Sequence, residues 1–153
     1  MEMSALPRAR SSRPPGPAPR DRSVGDAAGQ SVRILVVEDE YLVATEIEAG
    51  LSESGFAVAG IATTAAEAVR LARAERPTLI VMDIRLAGAG DGVEAATEIY
   101  ATTGIRCIFA TAYAESALRE RARAAAPLGW LAKPYAIEGL IAAVRVALNQ
   151  LKQ

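Results

Sequence analysis

Residues 79–92 read LIVMDIRLAGAGDG: four large apolar side chains, an aspartate at position 83, then a loop with glycines at 88, 90 and 92. A short run that is apolar at every position is the pattern of a strand buried on both faces, as in the parallel sheet of an α/β protein. A carboxylate directly behind such a run is costly unless it has a task there. From this stretch alone, Asp83 is a turn former opening the glycine loop, a metal ligand, or a nucleophile.

The same grammar repeats on either side of this stretch. RILVV (33–37), FAVAGIA (56–62), IRCIFA (105–110) and GWLA (129–132) read as four further short strands. Between them lie helical segments. Leu42, Ile47 and Leu51 mark one over 40–53, closed by Gly55. Thr64 followed by Glu67 is a capping pattern opening a second that runs to about Glu75, with Pro77 behind it. A third runs from Gly92 to Thr103, with Asp91 as its cap and Gly104 as its stop. Residues 114–125 are helix-prone, but Leu118 is their only large apolar side chain. Ile137, Leu140, Ile141, Val144, Leu148 and Leu151 follow the spacing of an amphipathic terminal helix. Five buried strands alternating with five helices predict an α/β domain over residues 32–153, its parallel sheet covered on both faces.

Ahead of that domain, residues 1–31 hold five prolines and five arginines with few large apolar side chains, which predicts a disordered tail. Within the 153 residues, 17 basic and 18 acidic side chains leave a net charge of −1, so no basic field draws in nucleic acid or an anionic membrane. No apolar run approaches the length of a membrane span, and no signal-type segment opens the chain. A cytoplasmic protein is expected. The single cysteine, Cys107, excludes an internal disulfide and reads as a buried structural thiol. Histidine is absent, which removes Ser-His-Asp catalysis, histidine-ligated zinc and phosphohistidine on this chain. Lysine occurs only at 133 and 152, against 15 arginines, so the position of Lys133 carries unusual weight.

In parallel sheets the chemistry gathers at the carboxyl ends of the strands. Glu38 and Asp39 follow the first strand, Asp83 the third, Thr111 the fourth, and Lys133 with Pro134 the fifth. Two carboxylates about 4 Å apart repel by roughly 4 kcal/mol at an effective dielectric near 20. Three carboxylates and one lysine are therefore about two positive charges short. A divalent cation with oxygen ligands fills that deficit, and Mg2+ suits it best. A hydroxyl beside an ammonium, Thr111 beside Lys133, suits an added anionic group. Together these features describe a phosphoryl site with Asp83 as acceptor.

VVEDE, VMDIRL, FATAY and LAKPY, in this order and spacing, resemble the receiver domain of response regulators over about residues 32–153. The resemblance implies a flavodoxin-like fold with strand order 2-1-3-4-5 and a cis Lys133–Pro134 bond. It also implies phosphorylation of Asp83 by a histidine kinase or a phosphotransfer protein, as part of a two-component phosphorelay. Mg2+ would be held by Asp39, Asp83 and the Arg85 main-chain carbonyl, with Glu38 acting through a metal-bound water. Lys133 would pair with the phosphoryl group, Thr111 would report its arrival, and Trp130 or Tyr113 would serve as the switching aromatic. Such a domain is a phosphoacceptor switch with weak self-phosphorylation and autodephosphorylation, not a turnover enzyme.

Two departures from the family pattern stand out. The loop after Asp83 has Ala87 where proline is common and is about one residue longer. FATAY is similar to the FAT GUY subgroup, with Ala112 for its glycine, and many members of that subgroup are stand-alone receivers. A single-domain regulator is expected, signalling to an unidentified protein partner or acting as a phosphate shuttle or sink. The faces around 114–148 make a homodimer a candidate state. Two rival readings remain: a receiver-fold binding module that works without phosphorylation, and an aspartyl phosphohydrolase. The second lacks a general acid, because Arg85 stands where such enzymes carry another aspartate.

Overall fold

The computed structural model describes residues 31–112 and 115–153. The predicted tail, apart from Ser31, and the candidate switch residue Tyr113 lie outside the described residues. Five strands, β1 (Arg33–Val37), β2 (Ala57–Ala62), β3 (Leu79–Asp83), β4 (Cys107–Thr111) and β5 (Gly129–Ala132), form one parallel sheet in the order β2-β1-β3-β4-β5. Between and after them run α1 (Tyr41–Glu53), α2 (Ala65–Glu75), α3 (Gly92–Thr103), α4 (Ser116–Ala122) and α5 (Ile137–Leu151). This is the expected order and topology, and the Lys133–Pro134 bond is cis.

The side-chain period of two explains the continuous apolar runs. Leu35, Val37, Ile80, Met82, Cys107 and Phe109 point to one face, where they pack with α2 and α3 through Ala68, Val69, Ala72, Val93, Ala96 and Ile99. Ile34, Val36, Leu79, Val81 and Ile108 point to the other, against Ala44, Ile47 and Leu51 of α1 and Leu140, Ile141 and Val144 of α5. With helices on both faces, each residue of a central strand needs an apolar side chain, whichever way it points. All five residues of β3 are buried, Asp83 included. The prediction of five buried strands fails at the sheet margins. β2 and β5 are mostly half-buried, because an edge strand has a neighbour on one side only.

Local signals set most of the boundaries. The Thr64 side chain accepts a hydrogen bond from the Glu67 amide at 3.1 Å, and the Asp91 side chain accepts one from the Glu94 amide at 2.9 Å. Both are N-caps, each satisfying a donor that the first helical turn leaves orphaned. Gly104 ends α3 with φ of 76°, a left-handed conformation in which a β-carbon is unfavourable. β4 starts two residues later than expected and includes Thr111. The predicted helix over 114–125 is seven α-helical residues followed by a 3-10 turn, Arg123–Ala125. Its weak apolar pattern has a structural counterpart: Ala122 is its only buried α-helical residue.

Candidate functional site

The carboxyl edge of the sheet assembles the residues that end the strands. Register does this work: Asp83 pairs with Ala110, and Thr111 with Ala132. Backbone hydrogen bonds extend the pattern one residue past the strands. The Glu38 amide donates to the Ala62 carbonyl at 2.9 Å, and the Lys133 amide to the Thr111 carbonyl at 2.9 Å. Glu38 and Lys133 are thus fixed by sheet geometry, although neither belongs to a strand.

Asp83 is 5% exposed and Glu38 2%, the two buried charged residues among those described. Between them sits the ammonium of Lys133, 3.2 Å from Asp83 Oδ2 and 3.4 Å from Glu38 Oε2. Burial works against the charge of Lys133, but the facing carboxylates outweigh it and hold its pKa above the ordinary value. Glu38 has the opposite problem. Burial, joined by the nearby charge of Asp83, pushes its carboxyl up to about 7, despite Lys133 and a hydrogen bond from the Glu40 amide. One lysine does not neutralise this pair.

Asp39, the third carboxylate, is exposed. Glu38, Asp39 and Asp83 each bring a carboxylate oxygen to within 4.8 Å of the others. Opposite ligands of an octahedral Mg2+ are about 4 Å apart, so small side-chain adjustments or an intervening water bring three such oxygens onto one ion. The all-oxygen donor set and the uncompensated negative charge both fit a hard divalent cation. Neither Glu38 nor Asp39 caps α1: its N-cap is Glu40, which makes no side-chain capping bond.

Two depressions open beside the lysine. One, of about 540 Å3, is lined by Asp83, Arg85, Asp91, Thr111, Leu118 and Lys133, among others. It brings the acceptor candidate, the hydroxyl-bearing residue and the lysine around one space large enough for a phosphoryl group. The other, of about 460 Å3, lies on the α1 side, with Glu38, Lys133, Pro134 and Tyr135 in its wall. The Tyr135 hydroxyl is buried without a hydrogen-bond partner, and burial, joined by the charge of Glu38, pushes its pKa up to about 12. Cys107 is buried in the core and its thiol pKa is pushed up by that burial, as expected of an inert structural thiol.

Trp130 lines neither depression. It is half-buried beside Phe109, ring centroids 5.0 Å apart, and the Arg119 guanidinium of α4 lies 4.9 Å above its ring.

Three features of this edge escaped sequence reasoning. Arg121 on α4 forms a 2.6 Å ion pair with Asp91, 30 residues away. Burial raises the Asp91 pKa, but Arg121 and the backbone amides at the helix start outweigh this and lower it overall. Thr64 makes an isolated parallel bridge with Ala87 of the glycine loop. Gly92 packs directly on the end of β3: a β-carbon there would stand 2.1 Å from the Asp83 carbonyl oxygen. The glycines of LAGAGDG were the visible signal for the last; the other two have no local signature.

Residues 34–145 match the response regulator receiver domain family. Similar proteins include the transcriptional regulatory protein PdtaR of Mycobacterium tuberculosis, 35% identical over 79% of this chain and 58% of its own length. The phyllosphere-induced regulator PhyR of Methylorubrum extorquens is 38% identical over 80% of this chain and 45% of its own. The chain thus spans about half the length of these relatives. Among solved structures, the signal receiver domain of a modulated diguanylate cyclase from Desulfovibrio desulfuricans is 35% identical with a TM-score of 0.73. That match covers 80% of this chain and 98% of the other. Taken with the acidic cluster, the lysine and the strand order, the match makes this chain a member of the response regulator receiver domain family.

Proposed function

We propose that Asp83 is the phosphoacceptor of this receiver domain and that Glu38, Asp39 and Asp83, with the Arg85 carbonyl, hold a catalytic Mg2+. Receiver domains are phosphoacceptor switches of two-component systems, not turnover enzymes, and they generally bind Mg2+ in an acidic pocket. For this chain, the observation that carries the proposal is a buried Asp83 with Lys133 at 3.2 Å on the wall of an open 540 Å3 depression.

In the proposed reaction an Asp83 carboxylate oxygen attacks phosphorus in line. A new O–P bond forms as the bond to the donor breaks, and the leaving group departs with the bonding pair, taking up a proton when the donor is a phosphohistidine. Mg2+, when bound, offsets the charge of the phosphoryl oxygens. Lys133 stays paired to the acidic site and offers its ammonium to the incoming oxygens. Thr111, on the same wall, offers a hydroxyl and so reads the occupancy of the pocket. The donor is a histidine kinase or phosphotransfer protein, and the output is contact with a protein partner. Residues 32–153 form the receiver, and Trp130, coupled to α4 through Arg119, is a reporter of the switched state.

Incubation with acetyl phosphate and Mg2+ tests this by intact mass. A single phosphoryl adduct in the wild type, absent with chelator and absent in Asp83→Asn, is the expected result. An adduct that survives in Asp83→Asn overturns the assignment. Wild-type protein without an adduct favours a phosphorylation-independent module.

A further inference from the structure

We propose that Arg121, on α4, is a positioning residue for the metal-binding loop that follows the acceptor, acting through Asp91. The inference rests on the proposed role of the Arg85 carbonyl as a metal ligand.

The loop from Ile84 to Asp91 leaves the sheet directly after Asp83, and residues 85 and 87–90 are exposed. Little apolar packing fixes its path, so its polar ties matter more than they would elsewhere. Three of them hold its base, its middle and its far end. At the base, the Gly92 amide donates to the Ile84 carbonyl at 2.8 Å, closing the loop onto the strand it left. In the middle, Ala87 bridges to Thr64, the N-cap of α2. At the far end, the two carboxylate oxygens of Asp91 divide their work. Oδ1 accepts from the Glu94 amide and caps α3, while Oδ2 accepts from Arg121 Nη2 at 2.6 Å.

The first two ties come from elements that pack firmly on the core. The third comes from the helix with the thinnest apolar base: Ala122 is buried and Leu118 is partly so. Arg121 therefore links the least anchored helix to the loop that carries a metal-ligand carbonyl. Binding a cation through that carbonyl requires the loop to be ordered. Whatever orders it beforehand lowers the entropy lost on binding. Linkage makes the effect mutual: if Arg121 favours the metal-ready loop, metal favours α4 docked through Arg121. This route from site to α4 runs over the outer loop and does not pass through Thr111.

Asp91→Asn keeps a side-chain oxygen able to cap α3 and removes the charge, which separates the ion pair from the cap. Mg2+ titrations followed by amide NMR shifts in residues 84–92 measure the affinity. Wild type, Asp91→Asn, Arg121→Gln and their double variant are compared at low and high salt. Thermal unfolding without metal serves as the structural control.

Each single variant is expected to bind Mg2+ about two- to five-fold more weakly, the range of a partly exposed ion pair. The double variant should bind no more weakly than the singles, because both remove one interaction. Arg121→Lys should recover most of the affinity at low salt, and the differences should shrink at high salt. Unchanged or tighter binding in the single variants overturns the proposal, as do losses that add in the double variant. If wild-type protein binds no Mg2+, the reading of the site falls and this inference with it. If wild type binds and the variants match it, only the inference falls.

Discussion

The centre of the sheet and helix α4 are built on opposite terms. β1 and β3 are apolar almost throughout, with helices on both faces, and the acceptor candidate is the last residue of a fully buried strand. α4 has seven residues, one of them buried, and is tied through arginines: Arg121 to Asp91, Arg119 over Trp130. The first arrangement holds the proposed acceptor carboxylate still. The second leaves a segment near the low-stability end of the molecule, where moving elements are drawn from. The proposed chemistry and its proposed readout thus sit on adjacent parts of one edge that differ in how they are held.

The largest expected contrast is in packing. Phe109 lies fully buried beneath this edge, and Phe109→Ala should cost about 3–5 kcal/mol in denaturant unfolding. Leu118→Ala, on α4, should cost about 1 kcal/mol or less, since its side chain is only partly buried. Equal losses would erase the distinction between the two regions.

Glu38 tests the electrostatic side of the rigid region. Its carboxyl, ordinarily near 4.5, stands at about 7 in the folded state, so the folded protein holds that proton more tightly than the unfolded chain. In the metal-free protein the contribution of Glu38 to stability should be fully present below pH 4.5 and be lost as pH rises through about 7, by on the order of 3 kcal/mol. In Glu38→Gln that decline should vanish, leaving the variant more stable than wild type at neutral pH with chelator present. Urea unfolding across pH 5 to 8 checks the sign; a wild-type curve that rises with pH would refute it.

Gly92→Ala sharpens the comparison from the loop side. The new methyl would overlap the Asp83 carbonyl, so either α3 or the end of β3 must shift. A destabilisation of about 1–3 kcal/mol is expected, with slower phosphorylation of Asp83 from acetyl phosphate. The smallest effect belongs to Tyr135→Phe, which removes a buried hydroxyl that has no partner. It should change stability by less than about 1 kcal/mol, and a larger loss in calorimetry would point to a hidden hydrogen bond.

The features legible in the sequence were those with a local cause. The strands showed because burial on both faces demands apolar residues at every position. Thr64, Asp91 and Gly104 announced helix ends through capping chemistry. The strand-end residues were legible because parallel topology alone collects Glu38, Asp83, Thr111 and Lys133 on one edge. The edge strands were misjudged because β2 looks as apolar as β1 in sequence, and only neighbours in space distinguish them. Arg121 was hidden for the same reason: nothing near either residue marks a partner 30 positions away. The cost of burying Glu38 against Asp83 also came only with the geometry, as the 2% exposure of Glu38 decides it.

Hydrogen exchange before and after addition of Mg2+ with a beryllofluoride phosphoryl mimic tests the division between held chemistry and mobile readout most directly. The predicted result is a change in protection across residues 115–125, with β1 and β3 protected equally in both states. Unchanged exchange in α4, or a change as large in β1 and β3, would contradict it.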